Sequence, residues 1–320
     1  MKKLPSIYSE VDSNLLDKIF KNNFNTLSPY FFKLMSEWTI GAYGIFKDLN
    51  KYIILIYLVS KQFEFYRRNN LNINYDDFYK DKCLEIEKIN TIKISIELDI
   101  PKESVRRKIV ELEKQDIIKK IGKKIIIDRS AYYSTQPVDT LKNLSNLLSV
   151  FSKILKKEKI ITNQLSQIEI NNLIKQNFSF CWYQFYKFLF PYCLRWKKYL
   201  GDLEMLSIVA VIVSNSNSKI DHQLKGIPTF LDKWRKEINS EKIRGINAMS
   251  ISEITGIPRP TVVRKIKILI KKKYISLDKN KLINIDMSKK NFKEVSKIQD
   301  LNINSLNIFI KRTFNQINLS

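Results

Sequence analysis

Apolar residues recur at helical spacing along much of the chain, and one arrangement of them occurs twice. Val262, Ile266 and Leu269 stand at i, i+4 and i+7, so they share one face of a helix. At about 100° per residue, Arg264, Lys267 and Lys271 then lie on the opposite, exposed face. Val105, Ile109 and Leu112 repeat the inward stripe, with Arg107 and Lys114 outward and Lys102, Ser104 and Arg106 flanking them. After each of these segments the period shortens to the alternation of strands. Residues 117–128, turning at Gly122-Lys123, and residues 274–286, turning at Asp278-Lys279-Asn280, predict β-hairpins. Two or three helices are predicted upstream of each unit and one closing helix after it.

The recurrence extends over the whole chain. At the separation of Phe24 from Phe178, Lys21 and Asn23 align with Lys175 and Asn177, Phe31 and Lys33 with Phe185 and Lys187, and Asp48-Leu49 with Asp202-Leu203. The apolar run 52–59 aligns with 206–213 in the same register. An insertion after Ser214 then shifts the alignment, and Ile94-Ser95, Ile100-Pro101, Arg107-Lys108-Ile109, Leu112 and Lys114 meet Ile251-Ser252, Ile257-Pro258, Arg264-Lys265-Ile266, Leu269 and Lys271. A period of this length marks a duplicated unit. The boundary is expected near residues 159–167, giving halves 1–160 and 161–320 that each end in a helix–helix–hairpin unit, at about 91–128 and 248–286.

The second unit is the clearer. Ser250 and Glu253 have the spacing of a capping box, which predicts a short helix starting there. Gly256 can take the positive φ that ends that helix, Ile257 anchors the turn, and Pro260 suits the first turn of the next helix, where its missing N–H costs nothing. A short helix with an exposed basic face after a tight turn suits the DNA major groove, where Arg binds guanine in bidentate fashion. The expected DNA-contacting residues are Lys102, Ser104, Arg106, Arg107 and Lys114 in the first unit and Arg259, Thr261, Arg264, Lys267 and Lys271 in the second. Hairpin cations Lys119, Lys120, Lys123, Lys124, Lys279 and Lys281 are placed for sugar-phosphate contacts.

Charge and composition support this direction and narrow the alternatives. Lys and Arg total 56 against 32 Asp and Glu, a formal net charge of +24 that attracts polyanions. Only 7 glycines are present, and no Gly-rich phosphate loop, HExxH or GxSxG occurs, so neither an enzyme nor a cofactor site is expected. The one histidine, His222, cannot supply a triad or a metal cluster on its own. Cys83, Cys181 and Cys193 are too few for a disulfide framework and are expected as buried thiols in a reducing, cytoplasmic setting. The N-terminus lacks the apolar core of a secretory signal. The greasiest stretch, 178–194, is broken by Gln184, Lys187 and Pro191 and predicts a core helix, not a membrane span. Trp38, Tyr43, Trp182, Tyr183, Tyr186, Tyr192 and Trp196 are expected in that core in preference to base stacking.

Residues 255–264, Thr-Gly-Ile-Pro-Arg-Pro-Thr-Val-Val-Arg, resemble the winged helix-turn-helix of IclR- and MarR-type bacterial transcription regulators and, more distantly, that of the Crp group. The resemblance implies a recognition helix from about Arg259 and a wing at the following hairpin. It covers about forty residues per half, with no counterpart of an IclR effector domain or a cyclic-nucleotide barrel, so ligand control does not carry over. The expected fold class is therefore mainly α with small β-hairpin wings, a tandem winged helix-turn-helix duplication. The expected partner is double-stranded DNA, bound by a monomer acting as an internal pseudo-dimer in transcription regulation. A tandem winged-helix replication initiator and a protein-interaction scaffold are the alternatives.

Overall fold

The computed structural model describes residues 10–11, 13–87, 90–131, 136–217, 245–286 and 289–319; His222 lies outside them. The first repeat supplies α1 (Ser13–Asn22), α2 (Phe24–Phe46), α3 (Leu49–Arg68), α4 (Tyr75–Lys80), β1 (Cys83–Glu87), α5 (Thr91–Leu98), α6 (Lys102–Lys114), β2 (Ile118–Ile121), β3 (Lys124–Asp128) and α7 (Val138–Lys157). The second supplies α8 (Gln167–Gln176), α9 (Phe178–Leu200), α10 (Leu203–Asn217), α11 (Ala248–Thr255), α12 (Arg259–Lys271), β4 (Ile275–Leu277), β5 (Ile283–Ile285) and α13 (Lys289–Leu319). The fold is mainly helical with two small antiparallel sheets, ordered β1-β3-β2 and β4-β5. Alternation along β1 turns Leu84 and Ile86 inward. It thereby exposes Cys83, against the expectation of three buried thiols; Cys181 and Cys193 are buried, and burial pushes both thiols well up from their ordinary range.

The two repeats exchange helices. Helix α1 packs on α13 and α8 on α7, so each repeat's first helix lies on the closing helix of the other. Likewise α2 packs on α10 and α9 on α3. Both entry points are clipped by side chains of the opposite closing helix. Val11 N–H donates to Asn315 Oδ1 at 3.0 Å, and Leu165 N–H donates to Ser152 Oγ at 2.9 Å. Phe31 of α2 meets Phe188 and Tyr192 of α9 edge-on. A fully buried side chain of this kind contributes roughly 1.5–3 kcal/mol, and the long helices gain much of that burial only across the exchange. The buried side chains accordingly form one continuous cluster across both repeats. Each element contacts the counterpart of the one that contacts it, the pattern of an isologous dimer interface, here within a single chain.

The aromatic residues take the predicted place: Trp38, Tyr43, Trp182, Tyr186 and Tyr192 are buried, and Tyr183 and Trp196 pack half-buried against them. Among the described residues no single helix is long and apolar enough to cross a membrane. Helices α9 and α10 reach that length and apolarity only when taken together, and they bend by 94° where they meet.

Candidate nucleic-acid interface

The two helix–helix–hairpin units are built by closely similar bonds from equivalent residues. Asn90 and Asn247 cap α5 and α11, accepting from Ile92 N–H and Ser250 N–H at 2.8 Å each. This corrects the expected capping box at Ser250 and Glu253: the helix begins two residues before Ser250, and Asn247 does the capping. Both short helices stop on a left-handed residue, Asp99 (φ 49°) and Gly256 (φ 69°). Ser95 Oγ then donates to Ile100 C=O at 2.6 Å and Ser252 Oγ to Ile257 C=O at 2.7 Å, which ties the turn back to the helix before it. Pro101 and Pro258 lead into α6 and α12, with Pro260 in the first turn of α12.

The orientation of α6 and α12 is set from beneath. Val105, Ile109 and Leu112, and Val262, Ile266 and Leu269, are buried as their spacing predicted. A cation joins each stripe, half-buried at Lys108 and buried at Lys265. Lys108 Nζ lies 2.7 Å from Asp48 and 2.9 Å from Glu111, and Lys265 Nζ lies 2.6 Å from Asp202 and 2.9 Å from Glu204. Asp48 and Asp202 have a second task, accepting from Lys51 N–H and Met205 N–H to cap α3 and α10. One carboxylate therefore fixes both the start of a scaffold helix and the rotation of the basic helix above it. Burial works against the Lys108 ammonium, but Asp48 and Glu111 outweigh it and hold its pKa above the ordinary value. Each turn also touches the opposite repeat: Lys197 of α9 donates to the carbonyls of Leu98 and Asp99, and α11 packs on α2.

Lys102, Arg106, Arg107, Lys114, Arg259, Arg264, Lys267 and Lys271 are exposed, and Ser104 and Thr261 are half-exposed. Hairpin residues Lys119, Lys120, Lys123, Lys124, Lys279 and Lys281 are exposed as well. In the first hairpin Gly122 (φ 57°) makes the turn. In the second, Asp278 accepts from Asn280 N–H and Leu282 N–H, so the loop is longer than expected and presents Lys279 and Lys281 at its tip. The units differ in what holds their cations. Arg106 pairs with Glu103, Lys120 with Glu113 at 2.8 Å and Lys124 with Glu85 at 2.6 Å. The expected contacts of the second unit, Arg259, Arg264, Lys267, Lys271, Lys279 and Lys281, make no ion pair among the described residues.

Lys108, Lys265, Asp48, Asp202, Asn90 and Asn247 were not singled out by sequence reasoning. Most of them stood in view as identities between the repeats at polar positions. Compared with known proteins, the chain matches no family model, no curated protein and no solved structure.

Proposed function

We propose that this chain is a double-stranded DNA-binding protein of the transcription-regulator kind, with two winged helix-turn-helix units carried as an internal pseudo-dimer on one intertwined helical scaffold. The observation that carries the reading is the partition of charge on α6 and α12. In each, one lysine is turned inward onto a scaffold carboxylate, Asp48 or Asp202, while on the outer face Lys102, Arg107 and Lys114 of α6 and Arg259, Arg264, Lys267 and Lys271 of α12 make no ion pair among the described residues. A helix that needed cations only for solubility has no use for fixing its rotation in this way. In the first unit the strand order β1-β3-β2, with β1 before the two helices, also suits a winged helix. In the second, the single bridge from Ile246 to Ile283 stands where β1 would. Recognition helices from Lys102 and Arg259 would enter the major groove, with Lys123 and Lys279 to Lys281 on flanking phosphates.

Footprinting of the full chain on DNA from its own genome, with binding constants measured across salt, tests the proposal. One bounded protected site and roughly six to ten phosphate contacts from the salt slope are expected. An array of iterated sites would favour a replication initiator. Absence of protection, or an affinity flat between low and physiological salt, would leave an interaction scaffold as the better reading.

A further inference from the structure

A cavity of about 200 Å³ opens beside the first helix–helix–hairpin unit, walled by the α2–α3 corner, β1, the start of α7 and, from the second repeat, α9. Its walls are rich in aromatic side chains: Trp38, Trp182, Phe185 and Tyr186 are buried there and Tyr52 is half-buried. Gly41, Val138 and Asp139 are exposed and mark its opening. A cavity of ~150 Å³ holds benzene, so this one has room for a ring carrying a short chain. The same place in the second repeat, lined by Val209, Ala210 and Val213 where Leu55, Ile56 and Val59 line the first, is nearly closed. Trp196 and Tyr199 stand there in place of Ala42 and Ile45, and about 80 Å³ is left.

The charged groups of the larger cavity are sorted by depth. Arg129 is 4% exposed; its Nη2 donates to Phe78 C=O at 2.7 Å and to Asp81 C=O, and its guanidinium lies over the Phe78 and Tyr79 rings. Its Nη1 is buried, so it offers an occupant no donor, but its charge keeps a second cation away from the inner end. Glu37 and Asp139 line the outer part. Asp139, in the first turn of α7, makes no ion pair among the described residues. Glu37 accepts from Asn143 Nδ2 and has Lys33 Nζ at 3.6 Å, a pair whose side chains are 40% and 58% exposed and which therefore binds weakly. Pro191 stands at the counterpart of Glu37, so the second repeat lacks this carboxylate. On a chain of net charge +24, two carboxylates at the mouth of an aromatic cavity reverse the local sign. An ammonium is attracted both by carboxylates and by aromatic faces, whereas an anion is repelled by both.

We infer that this cavity is a binding site for a small primary amine with an aromatic or branched apolar body, its ammonium held at the mouth by Asp139 and Glu37 and its body among Trp38, Trp182 and Phe185. The buried arginine sets that direction of entry. The site stands independently of the DNA-binding reading. Leu84 of β1 places it against the sheet of the first unit, so an occupant would touch an element of that unit directly.

Calorimetric titration of the full chain with phenethylamine and isopentylamine, each beside the neutral alcohol of the same skeleton, tests the site. Saturable binding of at least one amine at about one per chain is expected, with its alcohol at least about tenfold weaker. Glu37→Gln combined with Asp139→Asn should bring the amine down to the level of its alcohol. Both substitutions keep side-chain size, and the amide at position 37 keeps an acceptor for Asn143 Nδ2. Gly41→Leu provides a second arm that leaves every charge in place. Gly41 lies in α2 at the exposed edge of the cavity, and a Cβ there meets nothing within 4 Å. Leu at that position keeps the helix, fills the opening and should abolish binding of amine and alcohol alike while the melting temperature holds or rises. No saturable binding of either amine, equal affinity for amine and alcohol, or amine binding unchanged in the double variant or in Gly41→Leu would each overturn the assignment.

Discussion

Helices α6 and α12 have the same length, the same buried stripe and the same inward lysine, yet they differ sharply in free charge. Both carry five cations; α6 also carries Glu103, Glu111 and Glu113, where α12 has Pro260, Ile268 and Ile270. In the first unit Glu111 belongs to the helix itself and helps neutralise Lys108. In the second, both carboxylates facing Lys265 come from the scaffold, so α12 needs no acid of its own. Its exposed face carries Arg259, Arg264, Lys267 and Lys271 and no acid. One architecture has thus given two electrostatic surfaces, and on the proposed reading the second unit meets phosphate with fewer opposing carboxylates.

The largest expected difference is in stability. Lys265 is more deeply buried than Lys108, with side chains 7% and 15% exposed. Removing one partner of a buried pair typically costs about 3–5 kcal/mol, and here Glu204 remains to take part of the charge. Asp202→Ala, which also removes a helix cap, should therefore cost about 3 kcal/mol in urea unfolding. Asp48→Ala should cost less, about 1–2 kcal/mol, because Lys108 retains Glu111 and reaches water more easily. Equal losses, or a larger loss for Asp48→Ala, would show that burial of the lysine does not set the difference.

Next in size is the effect on DNA. Arg264 and Arg107 are equivalent, exposed and free of ion pairs among the described residues. Replacing Arg264 by Ala should cost about 1–3 kcal/mol on the preferred site while leaving the melting temperature nearly unchanged. On the proposed reading Arg107→Ala should cost less, because the nearby Glu103 would oppose phosphate at the first unit. Competition binding of both variants against wild type checks this. A greater loss for Arg107→Ala would reverse the ranking of the units.

How far this comparison could be read from sequence depends on range. The inward faces of α6 and α12, the hairpins and the aromatic core follow from period and spacing, which act over a few residues and were legible. The pairing of Lys108 with Asp48 spans sixty positions, and no local pattern announces it; only its recurrence as Lys265 with Asp202 gives it away. The exchange of α1 and α8 between repeats was hidden for a different reason. A helix with one apolar face fits either of two equivalent partners in a duplicated chain, so amphipathicity cannot say which closing helix it covers. Asn247 was passed over as a cap because Ser250 with Glu253 matched a known motif, although Asn90 and Asn247 were available as an aligned pair.

A smaller effect concerns acid. The hydrogen bond from Lys108 holds the Glu111 carboxyl below its ordinary range against the opposing effect of burial. A carboxylate depressed on folding adds stability that is present above its unfolded pKa, near ~4.3, and lost as pH falls through the folded value. The second unit has Ile268 at this position and no such dependence there. Glu111→Gln should therefore be destabilised relative to wild type at neutral pH, with the gap closing below about pH 4. A gap that persists unchanged in acid would mean that Glu111 acts through packing and not through its charge.

The smallest expected effect separates two roles for the acid at the front of α6. Glu103 is fully exposed and is held below the ordinary carboxylate range chiefly by its hydrogen bond from Arg106. If it serves only to quiet that arginine, Glu103→Gln frees a cation near the DNA and removes a charge that repels phosphate. Binding should then tighten by less than about fivefold, as befits an exposed ion pair, with a steeper salt slope and no change in sequence preference. The other role is readout, because a glutamate at the start of a recognition helix can accept from cytosine N4. Glu103→Gln would in that case weaken binding to the preferred site and relax the choice at one base pair. Pro260 occupies the equivalent place in α12 and cannot do the same, so readout by Glu103 would make the two half-sites differ there. Selection from a random DNA pool, with wild type and Glu103→Gln in parallel, distinguishes the two. A tighter variant with an unaltered consensus keeps Glu103 as a damper on the weaker unit, whereas a lost preference in one half-site would make the less basic helix the more discriminating reader.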